Sequence, residues 1–192
     1  MENKLSKREA IINAAIKVFS TKGYHSTRME EIAILAEVGK GTIYEYFASK
    51  LDLFQKMLEE SVKVYFTEVA SLDDENLPFA EKLLLLLAGH IDFCKEHKEL
   101  TRIVFWDTEI IDEELKEWSN QMRKEKEDYM TEIIKTAINK GDIKPVNPRI
   151  LTYIISGVLG SLWAPITLDN WEVNTEDLAQ EITDIVIRGI GL

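Results

Sequence analysis

The chain has 192 residues, 45% of them hydrophobic and 30% charged, with 23 Lys and Arg against 34 Asp and Glu for a net charge of −11. That size and balance suit one large or two small globular domains and exclude a disordered chain, and a single cysteine excludes both a disulfide framework and a Cys-based zinc site. The start, MENKLSKREAII, lacks the long apolar run of a secretory signal, so a cytoplasmic protein is expected.

Helix signals run the whole length and no alternating strand pattern competes with them. Ser6-Lys7-Arg8-Glu9 is a capping box, in which a serine oxygen and a glutamate carboxylate satisfy each other's free amides. It opens a helix with Ile12, Ala15, Ile16 and Phe19 on one face, stopped by Gly23. Thr27-Arg28-Met29-Glu30 reads as a second capping box and starts a short helix to about Ala36. Gly39 breaks it, and another short helix covers 41–47. Ser49 and Asp52 cap a fourth helix that runs to about Ala70, with Leu51, Phe54, Leu58, Val62, Tyr65 and Val69 along one stripe.

A polar, Pro-terminated loop follows over 71–78, and further helices are predicted over 79–96, 99–107, 112–140, 148–169 and 175–190. Gly141-Asp142 ends the long one, and Asn147-Pro148 supplies a cap and a proline at the first helical position of the next. The fold expected is all-α: a three-helix head followed by a larger helical bundle, divided as 1–50 and 51–192. Residues 150–168 carry no charge, which meets the length of a membrane span. Thr152, Ser156, Ser161, Thr167, two glycines and Pro165 interrupt that run, however, and its small residues permit close helix approach. A helix with core on one face and a subunit interface on the other is the expectation, with no membrane partner.

Charge is unevenly spread. Residues 1–50 hold eight basic and six acidic side chains, a net of +2, and the rest of the chain carries −13. A mildly basic head on an acidic body is the distribution of a polyanion-binding module joined to something else. Two short helices joined by a tight turn make a helix-turn-helix, whose second member can lie in the DNA major groove. Ile32, Ala33, Ala36, Val38 and Ile43 pack that pair, while Lys40, Thr42, Tyr44 and Tyr46 face outward as donors and amphipathic rings suited to phosphates and base edges. Thr27 and Lys50 stand at helix starts, where free amides favour a phosphate.

The run Thr27-Arg28-Met29-Glu30-Glu31-Ile32-Ala33, then Ala36 through Phe47, then Lys50, resembles the DNA-binding signature of TetR-type transcriptional regulators over about residues 7–55. The resemblance implies a homodimeric, ligand-responsive regulator that is not an enzyme and needs no cofactor. By it, Lys40, Gly41, Thr42, Tyr44 and Tyr46 fall on the recognition helix. Thr27, Arg28 and Lys50 fall at the start of the preceding helix and on backbone-contacting positions. The chain departs from the pattern in having Glu37 where glycine is usual, Tyr46 for the commoner histidine, and Arg28 where a small hydroxyl is frequent. Gly39-Lys40-Gly41-Thr42 imitates a phosphate loop, but Ile34 stands where a Walker A motif needs glycine.

In the body, large amphipathic side chains nominate an effector pocket: Tyr65, His90, Phe93, Phe105, Trp106, Met122, Tyr129, Tyr153 and Trp163. His90, Cys94 and His97, with Glu96 and Glu99 nearby, lack an i,i+4 histidine pair, so no metal is expected. The acidic run 107–117 reads as a solvated helix start. For the dimer contact the last two helices offer Ile155, Leu159 and Leu162, then Leu178, Ile182, Ile185 and Val186. The function expected is a repressor that binds a pseudo-palindromic operator as a homodimer and is released by a small, largely apolar effector. The alternatives are a co-repressor-dependent regulator or activator, and a helical interaction module with a vestigial head.

Overall fold

A computed structural model describes residues 6–68, 74, 76–106 and 113–190, without the side chains of 66–68, 104–106, 114, 115 and 190. The described residues form helices and connecting turns, with no strand among them. In chain order the helices are α1 (Lys7–Ser26), α2 (Met29–Leu35), α3 (Lys40–Tyr46), α4 (Lys50–Glu68), α5 (Phe79–Glu96), α6 (Lys98–Trp106), α7 (Glu113–Lys140), α8 (Pro148–Thr167) and α9 (Thr175–Ile190). They group into two compact units: Met1–Val64 with Glu99–Glu117, and Tyr65–Lys98 with Trp118–Leu192.

In the first unit the expected capping box closes α1: the Glu9 amide donates to Ser6 Oγ at 3.2 Å, and the Ser6 amide to Glu9 Oε2 at 2.8 Å. Those serine hydrogen bonds hold the Glu9 carboxyl below its ordinary value. Gly23, at φ 73°, breaks the helical path where the sequence placed the stop, and one further turn follows the kink to Ser26. The core joins Ile11, Ala15 and Phe19 of α1 to Ile32 of α2, Ile43 of α3, and Leu53, Phe54 and Met57 of α4, all almost fully buried. Phe54 packs edge-on against Phe19 at 4.9 Å and Tyr24 at 5.2 Å. The inward stripe of α4 is therefore broader than the expected one, because Leu53 and Met57 are buried beside Phe54 and Leu58. Val69 and the loop 71–73 lie outside the described residues.

The turn between α2 and α3 is a Schellman motif. The Val38 amide donates to Ala33 O at 3.0 Å and the Glu37 amide to Ile34 O at 3.2 Å, with Glu37 at φ 55° in the left-handed region. The end of α7 repeats it with a glycine: Asp142 to Ala137 O at 3.0 Å, Gly141 to Ile138 O at 3.1 Å, and Gly141 at φ 79°. The glycine usual at position 37 in the resembling sequences thus has a conformational reason that this chain forgoes.

In the second unit α5 packs against both α8 and α9. Leu83, Leu87 and Ile91 of α5 form one core with Ile134 and Ala137 of α7, Leu151, Ile155, Leu162 and Ile166 of α8, and Ala179 of α9. Asn147 caps α8 through bonds from the Arg149 and Ile150 amides, with Pro148 at the first position as expected. The apolar α8 is long enough to cross a membrane by length and composition, and 28% of its apolar window is buried. Its inward face belongs to the core while Ile150, Tyr153 and Ile154, spaced one turn apart, are about half exposed.

Candidate functional site

The head presents α3 with one face inward and one outward. Ile43 and the following Phe47 are buried at 0% and 1% exposure, which anchors the helix. On the other side Lys40, Gly41, Tyr44 and Tyr46 are exposed and Thr42 is half-buried. A Cβ added to Gly41 would meet nothing within 4 Å, so that position keeps the helix surface low where another molecule could approach. The two tyrosines expose 47% and 44% of their surface, a costly placement for aromatic rings unless they meet a partner.

Four of the head's cations are already engaged. Lys40 Nζ pairs with Glu30 on α2, Lys22 with Glu31 at 2.6 Å, and Arg8 with Glu60. Each of Glu30 and Glu31 is held below the ordinary carboxylate range, first by the hydrogen bond from its lysine, and Lys40 is raised in turn by Glu30. Lys50 points inward: its ammonium donates to Thr27 O at 2.7 Å and His25 O at 3.2 Å and lies 4.4 Å from the centre of the Tyr24 ring. Burial lowers its pKa. Lys50 thus closes the turn between α1 and α2, a role the sequence reading did not foresee for a residue assigned to the DNA backbone.

Thr27 needs a similar correction. It ends α1 rather than capping α2: it is 2% exposed, and its hydroxyl donates to Gly23 O at 2.7 Å. The residue before α2 is Arg28, whose amide donates to Glu31 Oε2 at 3.1 Å. The pattern therefore starts one residue later than expected, and Glu30 is left to meet Lys40. The Arg28 side chain is exposed and makes no ion pair among the described residues.

In the body, three of the nine candidate pocket residues meet. Tyr65 Oη lies 3.1 Å from His90 Nδ1, the Tyr65 ring sits edge-on to Phe93 at 5.1 Å, and Cys94 Sγ is 3.6 Å from His90 Nε2. The Leu159 carbonyl of α8 also accepts from the His90 ring, so this one imidazole joins α4, α5 and α8. Burial pulls His90 from its ordinary 6.5 down to about 4, outweighing the Leu159 contact, and the ring is neutral at neutral pH. Burial, with Cys94 beside it, pushes the Tyr65 phenol well above its usual range.

Trp163 borders the body core and Met122 is half-buried, while the side chains of Phe105 and Trp106 lie outside the described residues. Tyr129 and Tyr153 are 40% and 48% exposed, which removes them from an interior wall. Arg149 Nε donates to Tyr153 Oη at 3.2 Å and its Nη1 meets Asp128 at 2.5 Å. Among the described residues no group of three or more His, Cys, Asp or Glu is placed to hold a metal ion. The sequence reading missed Lys126 of α7, whose ammonium is lowered by burial; its setting in the charged run RKEKED gave no sign of it.

The expected dimer contacts divide in the same way. Ile155, 2% exposed, and Leu162, 9% exposed, are spent on the protomer's own core, so they are withdrawn as interface residues. Leu159, Leu178, Ile182 and Val186 are partly buried against that core, and Ile185 is 64% exposed. The outward apolar face instead carries Ile150, Tyr153 and Ile154, readable as an i, i+3, i+4 stripe phased opposite to Leu151 and Ile155.

Comparison with known proteins agrees with this arrangement. The family profile described as bacterial regulatory proteins, tetR family, matches residues 11–57, and the tetracyclin repressor-like C-terminal domain matches residues 76–190. The HTH-type transcriptional regulator YhgD of Bacillus subtilis is 28% identical, with 97% of each chain covered. Among solved structures, the transcriptional regulator FadR from Bacillus subtilis in complex with stearoyl-CoA has a TM-score of 0.80 at 24% identity, covering 95% of this chain and 98% of its own. AibR in complex with isovaleryl coenzyme A and operator DNA has a TM-score of 0.77 at 19% identity, covering 94% and 97%.

Proposed function

The chain belongs to the TetR family of bacterial transcriptional regulators, and from that premise we propose that it is a cytoplasmic, non-enzymatic repressor released from DNA by an acyl-coenzyme A. Residues 1–50 hold the operator and residues 51–192 hold the effector and the second subunit. Tyr44 and Tyr46 enter the major groove with Lys40, Gly41 and Thr42, and Arg28 serves the phosphates. Thr27 and Lys50 position the start of α2 for that backbone contact.

The observation that carries the reading is the junction at His90. Helix α4 begins at Lys50, three residues after Phe47 closes the recognition helix, and reaches Tyr65, which meets His90. A ligand that inserts an acyl chain among Tyr65, Phe93 and the neighbouring apolar side chains must move Tyr65, and α4 carries that shift towards the head. Met122 and Trp163, of the same compact unit, complete the proposed lining. Support for the effector class comes from the coenzyme A thioesters named for FadR and AibR, whose folds this chain shares.

A symmetric dimer gives the mechanism its geometry. Two recognition helices about 34 Å apart read successive major grooves of a pseudo-palindrome, and a change in their separation loses both at once. The exposed stripe Ile150, Tyr153 and Ile154, with Ile185, is the proposed contact across the two-fold.

The test is selection of bound duplexes from fragmented source DNA, followed by titration of the complex with long- and short-chain acyl-CoA and with free coenzyme A. A recovered pseudo-palindrome released by an acyl-CoA, and not by coenzyme A alone, is expected. An operator that no acyl-CoA releases would remove the effector assignment; failure to recover any operator under every ligand condition would remove the regulator reading.

A further inference from the structure

We propose that Glu30 sets the sequence discrimination of the head by competing with DNA phosphate for Lys40. The inference rests on the DNA-binding reading above and concerns a residue to which that reading gives no role. Lys40 is the first residue of the recognition helix, and its ammonium is paired with a Glu30 carboxylate oxygen across the turn. Both side chains are about half exposed, at 52% and 53%, and Lys40 stands on the helix that the DNA-binding reading sets against the duplex.

Glu30 is suited to this and its neighbour is not. The Glu31 carboxylate accepts from the Arg28 amide and from Lys22, so it is part of how α2 begins. The Glu30 carboxylate accepts instead from Lys40 of the recognition helix. Glu30 also sits in the first turn of α2, where the helix dipole favours a negative charge, and the hydrogen bond from Lys40 holds its carboxyl below the ordinary range.

The consequence follows from what each mode of DNA binding uses. Non-specific binding is supplied almost entirely by cations meeting phosphates and releasing counterions. With Lys40 neutralised by Glu30, that mode loses one of its contacts or must break the ion pair to gain it. On the operator, Lys40 leaves Glu30 for an acceptor that the fit of Tyr44 and Tyr46 brings into place, and the exchange is repaid. Glu30 therefore weakens binding to the wrong sequence more than to the right one, which the uniform repulsion from the acidic rest of the chain cannot do.

The experiment measures binding of the full-length protein to a short duplex carrying the selected operator and to a scrambled duplex of equal length, over a salt series. The proteins are wild type, Glu30→Gln, Lys40→Ala and the double variant, with Glu30→Ala as a second probe and thermal melting to confirm folding. Expected for Glu30→Gln is roughly a two- to five-fold gain on scrambled DNA, as suits one exposed ion pair, and a smaller gain on the operator. The salt slope on scrambled DNA should steepen by up to about one unit. In the Lys40→Ala background the gain should vanish. A gain of equal size with and without Lys40 would overturn the proposal, since Glu30 would then act by general repulsion; so would unchanged affinity in both Glu30 variants. A wild-type protein that holds neither duplex would remove the DNA-binding reading together with this one, an outcome distinct from either.

Discussion

Replacing Glu37 by glycine should stabilise the protein. Glu37 occupies the left-handed position of the Schellman turn between α2 and α3, at φ 55°. A side chain there costs about 1–2 kcal/mol relative to glycine, and glycine returns about 0.5–1 kcal/mol through the entropy of the unfolded chain. The Glu37 carboxylate makes no hydrogen bond or ion pair among the described residues, so its removal gives up no contact. The net gain is about 0.5–1 kcal/mol, or a rise of roughly 1–4 °C in melting temperature for a chain of this size. Gly141→Ala supplies the mirror experiment: the same motif at φ 79°, with nothing within 4 Å of the added Cβ, so the loss is conformational and of similar size. Thermal unfolding by circular dichroism at fixed protein concentration reads both, the concentration being held because a dimer's melting depends on it. If Glu37→Gly lowers the melting temperature while Gly141→Ala also lowers it, left-handed strain at position 37 is not what distinguishes the two turns, and the reasoning fails.

Lys50→Ala should lower stability by about 1–3 kcal/mol, because Thr27 O and His25 O lose their donor, and Lys50→Arg should restore part of it; urea titration checks this, and an unchanged midpoint would return Lys50 to a purely DNA-facing role. Ile154→Asp should convert the dimer to monomer at micromolar concentration by sedimentation equilibrium, since the exposed half of each of two symmetry-related isoleucines gives up about 0.8–1.5 kcal/mol and two charges enter the interface. A dimer that survives it would place the interface elsewhere. His90 supplies a pH test: its pKa near 4 in the fold lies below 6.5, so the unfolded chain binds the proton first, and the stability present above pH 6.5 is lost as pH falls towards 4. The slope contributed is about 1.4 kcal/mol per pH unit, and His90→Gln should flatten it between pH 6.5 and 5, above most carboxylate titration. Equal slopes in wild type and variant would mean that the ring is solvated.

The helices were legible because their ends are written in local chemistry. Ser6 with Glu9, Asn147 before Pro148, and Gly141 each act within four residues, so the sequence contains both partners of every bond. Legibility failed at Thr27 for the same kind of reason. Its hydroxyl had two backbone sites in reach, the amides of the next helix and the carbonyl of Gly23 behind it, and only the path of the chain after Gly23 decides between them. Helix phase was a second blind spot: on α8 an apolar residue occurs on every face, so Ile155 and Ile154 are equivalent as letters and opposite as surfaces. The Tyr65, His90 and Phe93 side chains were named by type, but that they meet is a tertiary contact across 25 and more residues, which no spacing within either helix encodes.

Charge is where counting letters misleads most. A net of +2 over the first 50 residues suggests a weak general attraction for DNA, yet Arg8, Lys22 and Lys40 each have a carboxylate partner and Lys50 is turned onto backbone carbonyls. The cations left without an ion pair among the described residues, such as Lys7, Lys17 and Arg28, are too few to hold a duplex by charge alone against the acidic remainder of the chain. A head of this kind binds well only where its outward side chains also find base edges and where the paired lysines can exchange one acceptor for another. On the proposed DNA-binding reading, sparse free charge and two exposed tyrosines on one short helix belong to the same strategy, in which affinity is low by default and is gained at a matching sequence.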